Sequence, residues 1–391
     1  MQLIEPGPES PPRRALRALV LLGFLLFLLA GPVCGLLLPP VRTKASVPLP
    51  AWDPEAFRLG RWMKDLERWL QERSAITYQL RGRYQEARWQ AGLLEHGDVH
   101  VGRDGWFFLR GSLDADPAVL ARHAPARRAC LQQLKQQLDA LGVAIVAVVA
   151  PDKPRLYPEF AYADGQLPAT KAGLYALIRS ELEAAGIPTV DALAELTAAK
   201  AASSEKLFYF RDSHWSAHAA VVVGRALRAR IDALGLAHRL VPPTAFELMP
   251  VVKVHVVPDL VAVLGMRSAA PIGAPADSAV VASLMEDVDE LLLWVKGEGG
   301  VNQPYLAEMT RAQVALCGTS YSDVNFRWPV AWFLGCLVDF RGAVPSGGPF
   351  RGLHETLARI RSGASKARLI VWEFVERMYL EPEWRNPPRE F

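Results

Sequence analysis

Hydrophobic and polar positions divide the chain into distinct regimes. Residues 18–38, "ALVLLGFLLFLLAGPVCGLLL", carry no charge over 21 positions, enough to cross a ~30 Å hydrocarbon core as one helix. From residue 55 to about 94, Phe57, Trp62, Leu66, Trp69 and Leu70 recur among charges at roughly helical spacing, which predicts amphipathic helix. "HVGRDGWFFLRG" (100–111) predicts a hairpin that turns at Asp104-Gly105 ahead of an aromatic strand. Helix and strand then alternate. Residues 124–141 read as helix, and "VAIVAVVAP" (143–151) is the continuous apolar run of a buried parallel strand. A helix over about 171–185 precedes a short strand at "IPTVDA", and another helix runs from about 212 to 231. "QVALCGTS" (313–320), "CLVDF" (336–340) and "RLIVWEF" (368–374) predict further strands beside helix-like stretches. The alternation predicts an α/β fold, a mostly parallel sheet with helices on both faces. Residues 240–300 mix Pro, Gly and short apolar runs and are the least legible; no internal repeat is visible.

Charge sets the orientation of the apolar run. Arg13, Arg14 and Arg17 precede it, so the positive-inside rule keeps residues 1–17 in the cytoplasm and exports the rest. A cleaved signal peptide is the rival reading. The run is longer than a usual signal core and no A-x-A-like site follows, so an uncleaved transmembrane anchor is favoured. Val33 directly before Cys34 argues against a lipoprotein signal. The expected organisation is a cytoplasmic N-terminus (1–17), a transmembrane signal anchor (18–38), a Pro-rich linker (39–54) and an exported domain (55–391). Within that domain, 55–94 is expected to pack on the rest, with an amphipathic face against the membrane left open. A net charge of +3 over 391 residues gives no nucleic-acid signature. Cys130, Cys317 and Cys336 would meet an oxidising compartment, but apolar surroundings for two of them predict buried free thiols, and their spacing is no zinc framework.

Two fragments carry chemistry. In "ALCGTSYS" an apolar strand ends at Gly318, and Ser320 in the following turn could project its hydroxyl beside backbone N–H groups able to hold an oxyanion. Ser320 as a helix cap is the alternative, since the second glycine of G-x-S-x-G is missing. In "YFRDSHWSAHAA" (209–220), Asp212 and His214 sit one residue apart, where the carboxylate can accept from the ring N–H and stabilise the imidazolium an activated serine needs. A metal set of Asp212, His214 and His218 is the rival; it lacks the Glu of H-E-x-x-H and a distant ligand. An Asp that merely caps the helix is the third reading.

These fragments resemble a known family. "LFYFRDSHWSAHAA" resembles the D-x-H-W signature of the bacterial alginate O-acetyltransferases of the AlgJ/AlgX type, and "CGTSYS" their nucleophile motif. "VGRDGWFFLRG", "VVAPDKPRLYPE", "SGGPF" and "LIVWEFVERMYL" are similar to other family blocks in the same order, from about residue 62 to 380. The resemblance implies an SGNH-hydrolase-like α/β/α sandwich with a catalytic Asp212, His214 and Ser320 and no cofactor. It implies a polysaccharide acceptor, a multi-pass membrane acyltransferase as acetyl supplier, and other polysaccharide biosynthesis proteins as partners. Departures remain: His218 stands where a Gly is usual, and no G-x-N-D block supplies the SGNH asparagine. Asn325 and Gly348 are therefore the candidates near the oxyanion, and Tyr321 and Lys153 for substrate contact. Little sequence follows "MYLEP", so an AlgJ-like member without a carbohydrate-binding module is expected.

Overall fold

The computed structural model describes residues 97–240, 312–342 and 349–381 without a break, with 75–93, 252–264, 279–291 and a few shorter pieces. The run 18–38, Trp69, Leu70 and Gly348 lie outside the described residues, and no described helix is long and apolar enough to cross a membrane. The chain divides into two compact units, 1–94 with 265–282, and 95–264 with 283–391. In the first, helix α1 (Ala75–Gln90) falls within the predicted amphipathic stretch, and Trp52 and Phe57, tilted against each other, each pack edge-on to Trp62.

The second unit opens with the predicted hairpin, β1 (Val99–Val101) against β2 (Phe107–Leu109), antiparallel, with Asp104 at φ 53° in the turn. Then α2 (Pro117–Ala140), β3 (Ala144–Ala150), α3 (Leu174–Ala184), β4 (Thr189–Val190), α4 (Ala192–Ala202) and α5 (Ala217–Ala233) alternate. Helix α2 begins earlier than residue 124. Asp116 accepts from the Ala118 N–H at 2.8 Å and Pro117 takes the first helical position, a start signal outside the apolar periodicity.

Residues 246–304 leave this alternation. They pair β6 (Val252–Val256) with β7 (Glu286–Glu290), and order β5 (Phe246–Leu248), β8 (Leu293–Lys296) and β9 (Asn302–Pro304) into a small antiparallel sheet. The chain then returns through β10 (Val314–Gly318), α6 (Arg327–Leu334), β11 (Val338–Gly342), α7 (Arg351–Arg361) and β12 (Leu369–Val375). The main sheet is five-stranded and parallel, in the order β11-β10-β12-β3-β4.

Side-chain alternation explains why both faces are covered. Val146 and Val148 of β3 with Leu369 and Val371 of β12 pack toward α5 and α6, through Val223, Leu227 and Val330. Ile145, Ala147, Ile370, Trp372 and Phe374 pack toward α2, α3 and α7, through Leu134, Ile178 and Leu353. A sheet buried on both faces reads as continuous apolar runs, and its functional groups collect beyond the carboxyl ends of the strands. Cys130, Cys317 and Cys336 are free and buried, and burial pushes each thiol up to about 12.

Candidate active site

Two loops meet at the carboxyl edge of the sheet. The first, 207–216, doubles back on itself: the Ser216 N–H donates to the Leu207 carbonyl at 2.9 Å and the Tyr209 N–H to the His214 carbonyl at 3.3 Å. Asp212 and His214 thus lie at a tight tip ahead of α5, and the cap of that helix is Ser216, whose hydroxyl accepts from the Ala219 N–H at 3.2 Å. Asp212 is not the cap. Its Oδ1 lies 2.6 Å from His214 Nδ1 and accepts the His214 backbone N–H at 2.9 Å.

The second loop follows β10. Ser320 begins a turn that passes into a π-helical stretch, Ser322–Phe326, and its exposed Oγ lies 2.8 Å from His214 Nε2. Asp212, His214 and Ser320 therefore form one continuous hydrogen-bonded chain across more than a hundred residues of sequence. This fits a neutral ring that carries its proton on Nδ1. Burial works against charge on both Asp212 and His214, but their mutual attraction and hydrogen bond prevail. Asp212 is held at about 2, with help from the N–H groups of Asp259 and His214, and His214 is raised above its usual 6.5.

The turn that carries Ser320 is held by a residue the sequence reading passed over. Glu373, buried on β12, accepts the Thr319 N–H at 2.8 Å, the Thr319 hydroxyl at 2.9 Å and the Ser322 hydroxyl at 2.9 Å. Burial raises its carboxyl above the usual glutamate range. Its signal was a lone acid in "LIVWEFV", a strand otherwise wholly apolar. Gly318 is required by the same packing, because a Cβ there would stand 2.2 Å from Ser322 Oγ. The Thr319 N–H is spent on Glu373 and the Tyr321 N–H on Thr319 Oγ1, at 3.2 Å. Among the described residues no acceptor takes the Ser320 N–H, so that amide is the donor this turn offers to an oxyanion.

The expected substrate contacts lie in the interior instead. Lys153 is buried over the Trp106 and Phe108 rings and donates to the carbonyls of Phe107, Phe210 and Asp212 at 2.7, 2.9 and 3.1 Å. Burial lowers it to about 7, yet three acceptors match the three donors of an ammonium. It ties the β1–β2 hairpin to the Asp212 loop. Tyr321 is buried, with its hydroxyl on the Ser213 carbonyl, where it joins the two loops. Asn325 is fully buried, its amide 3.0 Å from the Tyr209 hydroxyl, so it packs beneath the site and does not face an oxyanion. Trp215, also fully buried, donates to the Tyr321 carbonyl at 3.1 Å and presents no face to a sugar.

His218 belongs to a different pair, with Nδ1 3.2 Å from Glu205. The groups that converge within 4.8 Å among the described residues are Asp212, His214 and Asp259, so the set with His218 is not assembled. A metal at the convergent set would have to displace the hydrogen bond of His214 Nδ1 to Asp212. Asp259 and Arg377 were not anticipated. Arg377 lies 5.6 Å over the Tyr321 ring and donates to Asp152 at 3.1 Å. No local pattern marks Asp259, which arrives from the excursion after β6.

A strand-end serine hydrogen-bonded to a D-x-H loop over a parallel sheet defines an SGNH-hydrolase-like site. The family model described as "SGNH hydrolase-like domain, acetyltransferase AlgX" matches residues 99–376, and the chain belongs to that family as an O-acetyltransferase. It is 29% identical to the probable alginate O-acetylase AlgJ of Pseudomonas aeruginosa, over 71% of this chain and 70% of that protein. To the corresponding protein of Azotobacter vinelandii it is 28% identical, over 71% and 69%. The solved O-acetyltransferase domain of Pseudomonas putida AlgJ shares the fold, with a TM-score of 0.56 at 22% identity over 74% of this chain and 97% of that one.

Proposed function

We propose that the protein acetylates hydroxyl groups of an exported polysaccharide, alginate or a similar polymer, through an acetyl-serine on Ser320. The observation that carries this reading is the unbroken chain Asp212–His214–Ser320. His214 Nε2 takes the Ser320 proton as Oγ bonds to the acetyl carbon, and the oxyanion that forms can accept from the Ser320 N–H. As the tetrahedral centre collapses, the proton passes to the departing group. A sugar hydroxyl then gives its proton to His214 and attacks the acetyl carbon; as the acetyl C–Oγ bond breaks, His214 returns that proton to Oγ and restores Ser320. Asp212 holds the ring and stabilises the imidazolium in both halves.

The relatives named alginate O-acetylases support the acceptor class. The uncharged run 18–38 behind Arg13, Arg14 and Arg17 supports a domain tethered on the periplasmic side of the inner membrane. Acetyl-CoA is confined to the cytoplasm, so a multi-pass membrane acyltransferase is the natural acetyl supplier, with other polysaccharide biosynthesis proteins alongside. The test supplies the protein with an activated acetyl donor and non-acetylated oligosaccharides and follows mass. Gains in steps of one acetyl group, lost in Ser320→Ala and His214→Ala, are expected. A deletion strain should export a polymer with fewer acetyl esters; a more heavily acetylated polymer would mean an esterase. Failed export that Ser320→Ala fully restores would mean a structural subunit.

A further inference from the structure

Asp259 opens a short helix, Asp259–Val263, in the excursion between α5 and β10. It grips three consecutive residues of the D-x-H loop. Its backbone N–H donates to Asp212 Oδ2 at 2.8 Å. Its Oδ1 accepts the Ser213 N–H at 2.7 Å and its Oδ2 the Ser213 hydroxyl. That second oxygen stands 3.6 Å from His214 Nδ1. The ring nitrogen opposite Ser320 is thus faced by two carboxylates, where a minimal triad needs one. Neither the β-sheet nor the helices that flank it supply the second.

We propose that Asp259 is a positioning residue of the transfer reaction: it fixes the Asp212–Ser213–His214 turn and stabilises the imidazolium as a second carboxylate. This rests on the acetyl-serine reading of the site. A negative charge within about 4 Å of a base favours its protonated form. The charged and titratable groups around the pair are few. Asp212 lies on the same loop, Tyr321 and Arg377 face His214 from the nucleophile side, and Lys153, with Glu286 beyond it, faces both carboxylates. Burial and the charge of Asp212 push Asp259 up to about 6, so it is ionised when the enzyme works at neutral pH.

The discriminating variant is Asp259→Asn. Its amide oxygen can still accept the Ser213 N–H and its NH2 can donate to the Ser213 hydroxyl, so the geometry is kept and the charge removed. kcat/KM should rise with pH as His214 loses its proton. Losing the second carboxylate lowers the His214 pKa, so this acid limb should move down by about one pH unit. The plateau should fall about tenfold, the same interaction counted in the transition state. A merely structural role would lower the plateau and leave the limb in place. Ser213→Ala removes one bond that keeps Asp259 ionised and should shift the limb the same way by less, which serves if Asp259→Asn folds poorly. Thermal melts of the full-length protein in detergent check folding. An unmoved limb in the folded variants overturns the inference while Ser320→Ala remains inactive. Activity that survives Ser320→Ala overturns the acetyl-serine reading, and this inference with it.

Discussion

Glu373→Met tests whether the nucleophile turn depends on one buried acceptor. The substitution is close in volume and leaves the Thr319 N–H and the Thr319 and Ser322 hydroxyls without the oxygens they now meet at 2.8–2.9 Å. The hydroxyls can rotate toward other acceptors. The backbone N–H cannot, and a buried unpaired donor costs about 1–3 kcal/mol. Removing a carboxylate whose charge burial disfavours returns part of this, so a net loss of about 2 kcal/mol is expected. Activity should suffer more than stability, because Thr319 precedes Ser320 and a 1 Å displacement of a reacting atom costs about 100-fold. Glu373→Gln separates acceptor from charge. Its oxygen can keep the Thr319 N–H while its NH2 turns to the Thr319 hydroxyl, so a loss under about 1 kcal/mol is expected. Urea unfolding followed by tryptophan fluorescence gives the stabilities, and hydrolysis of an activated acetyl ester gives kcat. A Met variant that matches wild type in both measurements, or a Gln variant as damaging as Met, would refute the dependence of the turn on this acceptor.

Ser320→Ala should abolish release of acetate from the same ester, whereas Ser322→Ala, which deletes only a bond to Glu373, should leave much of it; the reverse result would move the nucleophile. Activity should rise with pH along a limb above the usual 6.5 of histidine, because His214 must lose a proton that Asp212 helps it hold, and a limb well below 6.5 would contradict this. Exhaustive chelation should leave activity intact, and stoichiometric zinc whose removal inactivates the enzyme would replace the serine mechanism with metal chemistry. Gly318→Ala should destabilise the protein and lower kcat by at least about tenfold, since its Cβ must displace Ser322 from 2.2 Å, and an unaffected variant would show the turn to be pliable.

The parts of the fold legible in the sequence were those in which local pattern and tertiary role coincide. The runs around β3, β10 and β12 read as buried parallel strands because both their faces are covered, and Asp104-Gly105 turns the β1–β2 hairpin where its backbone conformation demands. The excursion 246–304 was illegible because its short strands pair with distant segments, so neither period nor composition marks them. The polar residues near the motifs misled for a related reason. Tyr321 stands beside Ser320 and Lys153 in another family block, yet their partners are carbonyls brought in from β2 and the Asp212 loop, which use up the groups that a substrate would need.

Three carboxylates around this site show why residue type alone could not assign the roles. Asp212 accepts from an imidazole and two backbone N–H groups, which favour its charge strongly enough to overcome burial. Asp259 lies beside that charge and is driven the other way, toward a carboxyl that gains a proton just below neutral pH. Among the described residues Glu373 meets neither a cation at hydrogen-bond distance nor a second acid, only the donors of the turn it holds. On the proposed mechanism, identical functional groups orient a base, tune it and brace a nucleophile. The difference lies in which donors the fold delivers, and those come from segments more than forty residues away for the last two. A D-x-H motif can be found by eye because both its members sit in one loop. The groups that make its base strong, and the serine's turn rigid, are set by the tertiary structure.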